Sequence, residues 1–213
     1  MRVIAIDGPA GSGKSTVGRR LADRLDLTYL DTGAMYRAVA FAAIRNQIDP
    51  ADEQPVGALA RSVDLRVDHH GVFVDGVDAT IEIRGPEVSR AVSMVASNTE
   101  VREELRARQR AWASDHGGGV IEGRDIGSVV FPDAVLKVYL TADPAVRAQR
   151  RAKEMTDLDY DEVAADIARR DAAALGRTDS PLVQPDGAVS VDTSALGIDA
   201  VVELLAELVE SRS

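Results

Sequence analysis

The chain has 213 residues, a formal charge of −10, 45% hydrophobic residues and no cysteine. That length suffices for one substantial core with a small appended subdomain, and the lack of cysteine excludes disulfides and thiolate metal sites and suits a reducing compartment. The acidic balance argues against a nucleic-acid partner, which would need a basic face strong enough to overcome that field; Asp7 breaks the only early apolar run, so neither secretion nor membrane insertion is expected and the cytoplasm is the expected location.

In chain order, "RVIAI" reads as a strand buried on both faces. It is followed by the glycine-rich "GPAGSGKST" and by "KSTVGRRLADRL", with Val17, Leu21 and Leu25 at helical spacing. "TYLD" is a short strand and "AMYRAVAFAAIRNQI" a helix that ends at the "DPADEQP" break. From 63 to 83 the pattern changes to alternating apolar and polar residues with turns at His70-Gly71 and Asp75-Gly76, which predicts a small antiparallel insertion. His69 and His70 fall in a turn with no third metal ligand nearby in sequence. Two helices follow, "PEVSRAVSMVAS" and "TEVREELRARQRAWAS", the second with Ser97 and Glu100 spaced as a capping box and with Val101, Leu105 and Trp112 on one face. "HGGG" at 116–119 reads as a flexible link back to the main sheet, whose remaining strands are "GVIE", "AVLKVYL" and "AVSVD". Helices are expected to begin near Asp143, with Pro144 at its first position, near Asp161 and near Asp199. Strands linked by helical crossovers predict an α/β, doubly wound domain.

The pattern G-x-x-x-x-G-K-[S/T] is met by Gly8, Gly13, Lys14 and Ser15, placed between a strand and a helix. The expected nucleotide-binding residues are Gly8, Pro9, Ala10, Gly11, Ser12, Gly13, Lys14, Ser15 and Thr16: backbone N–H groups of the loop curl around phosphates, Lys14 reaches the β and γ phosphates, and Ser15 ligates Mg²⁺. The loop therefore holds a nucleoside triphosphate. A regulatory GTPase would need an N-K-x-D segment, and the chain has none. A small-molecule kinase would carry arginines near the phosphates, and Arg147, Arg150 and Arg151 cluster on one predicted helix start, with Arg169 and Arg170 further on and Arg37, Arg102 and Arg124 beside loops. Any one of these could instead be a solvated surface group.

The chain resembles the cytidylate kinases, the bacterial CMP/dCMP kinase branch of the nucleoside monophosphate kinases, through "IDGPAGSGKST", "LDTGAMYR", "EIRGPEVSRAVSMVAS", "VREELRARQR", "EGRDIGSVVFPDA", "KVYLTA", "SPLV" and "VDTS". The resemblance implies a P-loop NTPase fold with a five-stranded parallel sheet flanked by helices, a CMP-binding insertion about 60–97 and a short LID about 147–160. It implies transfer from ATP, with Mg²⁺, to CMP or dCMP by a monomer. It places Asp125, Arg102 and Ser93 at the base, and Arg37, Arg124, Thr32 and Tyr36 at the acceptor phosphate. Cytosine offers an N4 donor beside N3 and O2 acceptors, which a carboxylate and a guanidinium complement; Asp125 could instead be an ion-pair partner of its neighbour Arg124. Arg170 and Arg177 belong to the sugar-binding run R-D-x-x-D-x-x-R, in which Ala174 stands where the family has its second aspartate, so the sugar is expected to be held differently or more loosely. The LID segment after Arg151 is short for the family. Lys14, Arg147, Arg150 and Arg151 are the expected catalytic cations.

Overall fold

The computed structural model describes residues 1–68, 70–154 and 159–212. His69 and residues 155–158 of the expected LID lie outside them. The chain divides into two compact units, Met1–Tyr29 with His116–Ser213, and Leu30–Asp115.

The first unit is built on strands β1 (Arg2–Asp7), β6 (Gly118–Gly123), β7 (Leu136–Thr141) and β8 (Val189–Asp192); β2 (Tyr29–Asp31) leads out of it, and the five strands form one sheet in the order β2-β6-β1-β7-β8. β1 pairs in parallel with β6 and β7, and β8 in parallel with β7. This is the expected doubly wound sheet, with the glycine loop leaving the carboxyl end of a central strand. Ile4 and Ile6 of β1 and Leu136, Val138 and Leu140 of β7 pack with Leu21 of α1 (Lys14–Leu25) and with Val202, Leu205 and Val209 of α8 (Ile198–Glu210), all buried. Each such side chain contributes about 1.5–3 kcal/mol of burial, which fixes α1 against the sheet and with it the loop that precedes it. Helices α6 (Pro144–Glu154) and α7 (Tyr160–Leu175) pack together through Ala148, Val163 and Ile167. α7 opens on Asp159, which forms a capping box with Glu162, one turn edge earlier than the Asp161 start that the sequence suggests.

The second unit holds α2 (Thr32–Arg45), α3 (Glu53–Ser62), α4 (Pro86–Ser97), α5 (Thr99–Asp115) and an antiparallel sheet β3-β4-β5 (Leu65–Asp68, Gly71–Val74, Val77–Asp78). The antiparallel insertion is as expected. α3 was not: the "DPADEQP" punctuation ends α2, but Pro55 lies in the first turn of a new helix, where its missing N–H is tolerated. The predicted Ser97–Glu100 box is also corrected. Asn98 caps α5, its Oδ1 accepting from Glu100 and Val101 N–H at 3.0 and 3.3 Å, while Ser97 Oγ donates to the Met94 carbonyl and the Glu100 carboxylate pairs with Arg61 at 2.7 Å. An amide oxygen adjacent to the first helical residue reaches those N–H groups more directly than a hydroxyl one residue earlier.

The "HGGG" stretch is only half a link, His116 and Gly117 forming the turn after α5. Gly118 and Gly119 are buried residues of β6, and a Cβ on Gly118, at φ +126°, would lie 2.2 Å from the Arg2 carbonyl oxygen. The glycines let β6 approach β1 at the start of the sheet. We expect Gly118→Ala to cost more than about 3 kcal/mol in urea unfolding. Gly117→Ala, at φ +71° with open space around it, is expected to cost only about 1 kcal/mol.

Candidate active site

The loop after β1 has the conformation that an anion cradle needs. Gly8, Gly11 and Gly13 have φ of 151°, 76° and 92°, and a Cβ on Gly8 or Gly11 would meet the Leu140 or Arg147 carbonyl oxygen at 2.1 or 2.8 Å. Gly13 is the N-cap of α1 with no side-chain cap, and no acidic residue stands in the helix's first turn. The first-turn N–H groups thus need an acceptor from outside, as at a phosphate site. Ser15 and Thr16 are exposed there, which suits a hydroxyl ligand to a phosphate-bound Mg²⁺. Among the described residues no group of three or more His, Asp or Glu could hold a metal ion by itself, so such an ion would be held chiefly by nucleotide phosphates and water.

Lys14 Nζ donates to the Pro9 carbonyl at 2.8 Å. Burial pulls its pKa down to about 8, opposed by Glu122, Asp171 and Asp7 and assisted by Arg124. Glu122, at the carboxyl end of β6, is itself buried and accepts from the Tyr29 hydroxyl, above whose ring Arg19 stacks at 5.3 Å.

Around this lysine the first unit gathers the arginines that the sequence singles out. Arg147 of α6 donates to the Ala142 carbonyl at 3.1 Å and to the Ala10 carbonyl at 3.0 Å, and pairs with Asp171 at 2.5 Å. Arg150 donates to Thr193 Oγ1 at 2.9 Å and to its carbonyl at 2.6 Å, while Thr193 Oγ1 donates to the Ser12 carbonyl at 3.1 Å. Its guanidinium lies beside Gly13. Arg124 pairs with Asp171 at 3.1 Å and donates to the Arg170 carbonyl at 3.2 Å. Burial lowers its pKa to about 10, Asp171 opposing and Arg170 and Arg177 adding to the fall. Arg170 is lowered by burial too, with Asp166 opposing and Arg151 reinforcing. Lys14, Arg124, Arg151, Arg170 and Arg177 are thus close enough to feel one another or their shared carboxylates; Arg147 is bonded to the loop itself, and Arg150 is tied to it through Thr193.

Asp7, the last residue of β1, is fully buried and accepts from the N–H groups of Ile126 and Gly127, both at 2.7 Å. Burial nevertheless raises its pKa to about 6, with nearby Asp125 adding to the rise. The pair of bonds holds the short π-helical turn Ile126–Val130, whose preceding residue is Asp125. Asp125 is buried, and its carbonyl accepts from Val129 at 2.9 Å and Val130 at 3.2 Å. Ala174 is fully buried in α7, its carbonyl accepting from Leu182 N–H at 3.0 Å. A small residue fits that enclosed position.

In the second unit, Asp31 caps α2 by accepting from Ala34 N–H at 2.9 Å, so that Thr32, Tyr36 and Arg37 fall in the first turns of the helix and are buried. Arg37 NH1 donates to the Ile83 carbonyl and to Ser89 Oγ, both at 3.0 Å. Ser93 is half-buried on α4, and the buried Arg102 of α5 reaches back to the Ala96 carbonyl at 3.3 Å. Asp7, Glu122 and Thr193 were not singled out in the sequence. Each follows an apolar strand run at or near its carboxyl end, and that position was the available signal.

The strand order and the loop define a P-loop phosphotransferase of the small-molecule-kinase class. The cytidylate kinase family matches residues 4–211, and the chain belongs to that family. A cytidylate kinase of Pelotomaculum thermopropionicum is 49% identical over 95% of this chain and 93% of its own; one of Mycolicibacterium paratuberculosis is 48% identical over 99% and 96%. Among solved structures, a protein of Thermus thermophilus shares the fold with a TM-score of 0.51 and 20% identity, covering 99% of this chain and 96% of that one.

A phosphate beside Lys14 restores the pKa that burial has lowered. Burial leaves the pKa of this lysine at about 8, so ATP binding is expected to take up a proton there increasingly as the pH rises through 8 and almost none at pH 6.5–7. Calorimetry in buffers of different ionisation enthalpy measures this uptake, which Lys14→Met should abolish.

Proposed function

We propose that this chain transfers the γ-phosphoryl group of ATP to the phosphate of CMP or dCMP, giving ADP and CDP or dCDP. The observation that carries the reading is the set of half-buried cations gathered around one glycine loop, in a chain of the cytidylate kinase family.

The acceptor phosphate has a second pKa of about 6 and is mostly dianionic at neutral pH, so its oxygen attacks without a general base. A bond forms from that oxygen to the γ-phosphorus as the bond to the β–γ bridging oxygen breaks, and the electron pair leaves on ADP. Lys14 follows the charge that moves with the transferred group. Arg147, Arg150 and Arg151 are assigned to the donor side, where guanidinium groups already held near the loop, as Arg147 is by Ala10, need little reorganisation as charge shifts. Arg37 and Arg124 are assigned to the acceptor phosphate, with Thr32 and Tyr36, because forked guanidinium donors bind phosphate oxygens in pairs. Mg²⁺, which Ser15 would help to hold, supplies charge neutralisation on the donor phosphates. Asp125 accepts from cytosine N4 and Arg102 donates to the ring, with Ser93 alongside. Arg170 of α7 serves the sugar, and Arg177 just beyond the helix is assigned to CMP binding. The region 60–97 is the proposed CMP-binding insertion and 147–160 the LID, whose closure keeps water from the γ-phosphate. The family and the cysteine-free composition support action as a monomer in the cytoplasm.

Coupled ADP-release assays with ATP·Mg²⁺ and CMP, dCMP, UMP, AMP, GMP or shikimate test the reading, with CMP and dCMP expected to be the strong acceptors. Lys14→Ala should lower kcat by about 10²-fold, near 3 kcal/mol of transition-state stabilisation. Asp125→Asn should reduce the preference for CMP over UMP in kcat/KM by about 1–3 kcal/mol, since an amide can present its NH₂ to uracil O4.

A further inference from the structure

One carboxylate joins the parts of the site that the transfer reading uses separately. Asp171, in the middle of α7, is buried. Its Oδ1 accepts from the Ala10 N–H at 3.1 Å and lies 3.1 Å from Arg124 NH1, and its Oδ2 lies 2.5 Å from Arg147 NH1. The same Arg147 nitrogen donates to the Ala10 carbonyl at 3.0 Å. Both polar groups of Ala10 are thereby held, the N–H by Asp171 and the carbonyl by the arginine that Asp171 orients. Arg147's own backbone stands against the next residue of the loop, since a Cβ on Gly11 would meet its carbonyl oxygen at 2.8 Å.

With three donors on two oxygens, Asp171 has little capacity left to take the sugar-binding place vacated at Ala174. It is instead placed between a donor-side element, the glycine loop, and an acceptor-side group, Arg124. We infer that Asp171 is a positioning residue for phosphoryl transfer, holding the Ala10 segment of the loop and the Arg124 guanidinium in a fixed relation. This rests on the transfer reading above. In-line transfer depends on approach distances near 3 Å, so a displacement of about 1 Å between the two substrates' anchors costs on the order of 10²-fold. A carboxylate is the group that serves here, because each oxygen accepts and neither donates. An amide would turn an NH₂ toward a guanidinium or toward the Ala10 N–H.

The test uses the full chain and compares wild type, Asp171→Asn and Asp171→Glu by kcat, by KM for ATP and CMP, and by thermal unfolding followed by circular dichroism. Asn removes the charge at nearly constant shape, whereas Glu keeps the charge and carries it one methylene further. Positioning predicts that both variants lose kcat by about 10- to 100-fold per folded molecule, with KM for ATP unchanged or lowered, since an anion beside the phosphates is removed or moved. Should Asp171→Asn fail to fold, Asp171→Glu carries the test, its buried guanidinium partners still being neutralised. The inference is overturned if folded Asp171→Glu turns over like wild type, if the loss in both variants equals the loss of folded protein, or if KM for CMP alone rises with kcat intact, which is the signature of a sugar contact. Wild type without CMP-dependent ADP release would overturn the transfer reading instead, and that arm is read first.

Discussion

A site for nucleotide phosphates must hold several cations together before any anion arrives, in surroundings that strip them of water. In this protein the cost is visible in Lys14 and Arg124, whose pKa values burial draws down to about 8 and about 10. The opposing attraction comes from carboxylates of the same unit. Asp171 bridges Arg124 and Arg147, and Glu122 offsets the desolvation of Lys14 most strongly. Without such groups, like charges at this spacing would neutralise by losing protons or push the loop apart. The chain's overall charge of −10 conceals a local arrangement of the opposite sign.

The parallel sheet is what allows those groups to converge. Parallel strands end on one edge, and each of the four strands within the first unit delivers part of the site there. β1 ends in Asp7 and runs into the glycine loop, β6 ends at Glu122 and Gly123 just before Arg124 and Asp125, β7 leads to Ala142 and then Arg147, and β8 leads to Thr193. Cross-bonds then tie these ends to one another: Asp7 to the Ile126–Gly127 N–H groups, Thr193 to the Ser12 carbonyl and Arg150, and Asp171 to Ala10. A phosphate cradle made of backbone N–H groups keeps its shape only if its flanking loops are held in this way.

The second unit relies on a different device. Its candidate ligand residues are polar side chains buried on helices and held by backbone acceptors. Arg37 is fixed by the Ile83 carbonyl and Ser89, and Arg102 by the Ala96 carbonyl. A buried arginine offers five donors in a fixed fork, so bonds to backbone acceptors set the direction of the whole group.

Local chemistry in the sequence was sufficient for the sheet strands, the glycine loop and the antiparallel insertion, because apolar run length, alternation and glycine placement are properties of adjacent residues. Lys14, Ser15 and the arginine groups were legible by type, as was membership of a family through ordered motifs. What adjacent residues do not encode is which neighbour wins a shared bond or how closely two backbones run. Asn98 rather than Ser97 caps α5, and Gly118 can open strand β6 because the Arg2 carbonyl lies where a side chain would be. Helix α3 forms after a run of turn residues because buried Val56 and Ala60 pack within the unit. In the sequence Asp171 was legible only as the first aspartate of the run that begins at Arg170, and its contacts are with Ala10, Arg124 and Arg147, which are separated from it by 161, 47 and 24 positions. Charge and hydrogen-bond partnerships across such distances arise only when the strands have been ordered, since energies of this kind act through space and not along the chain.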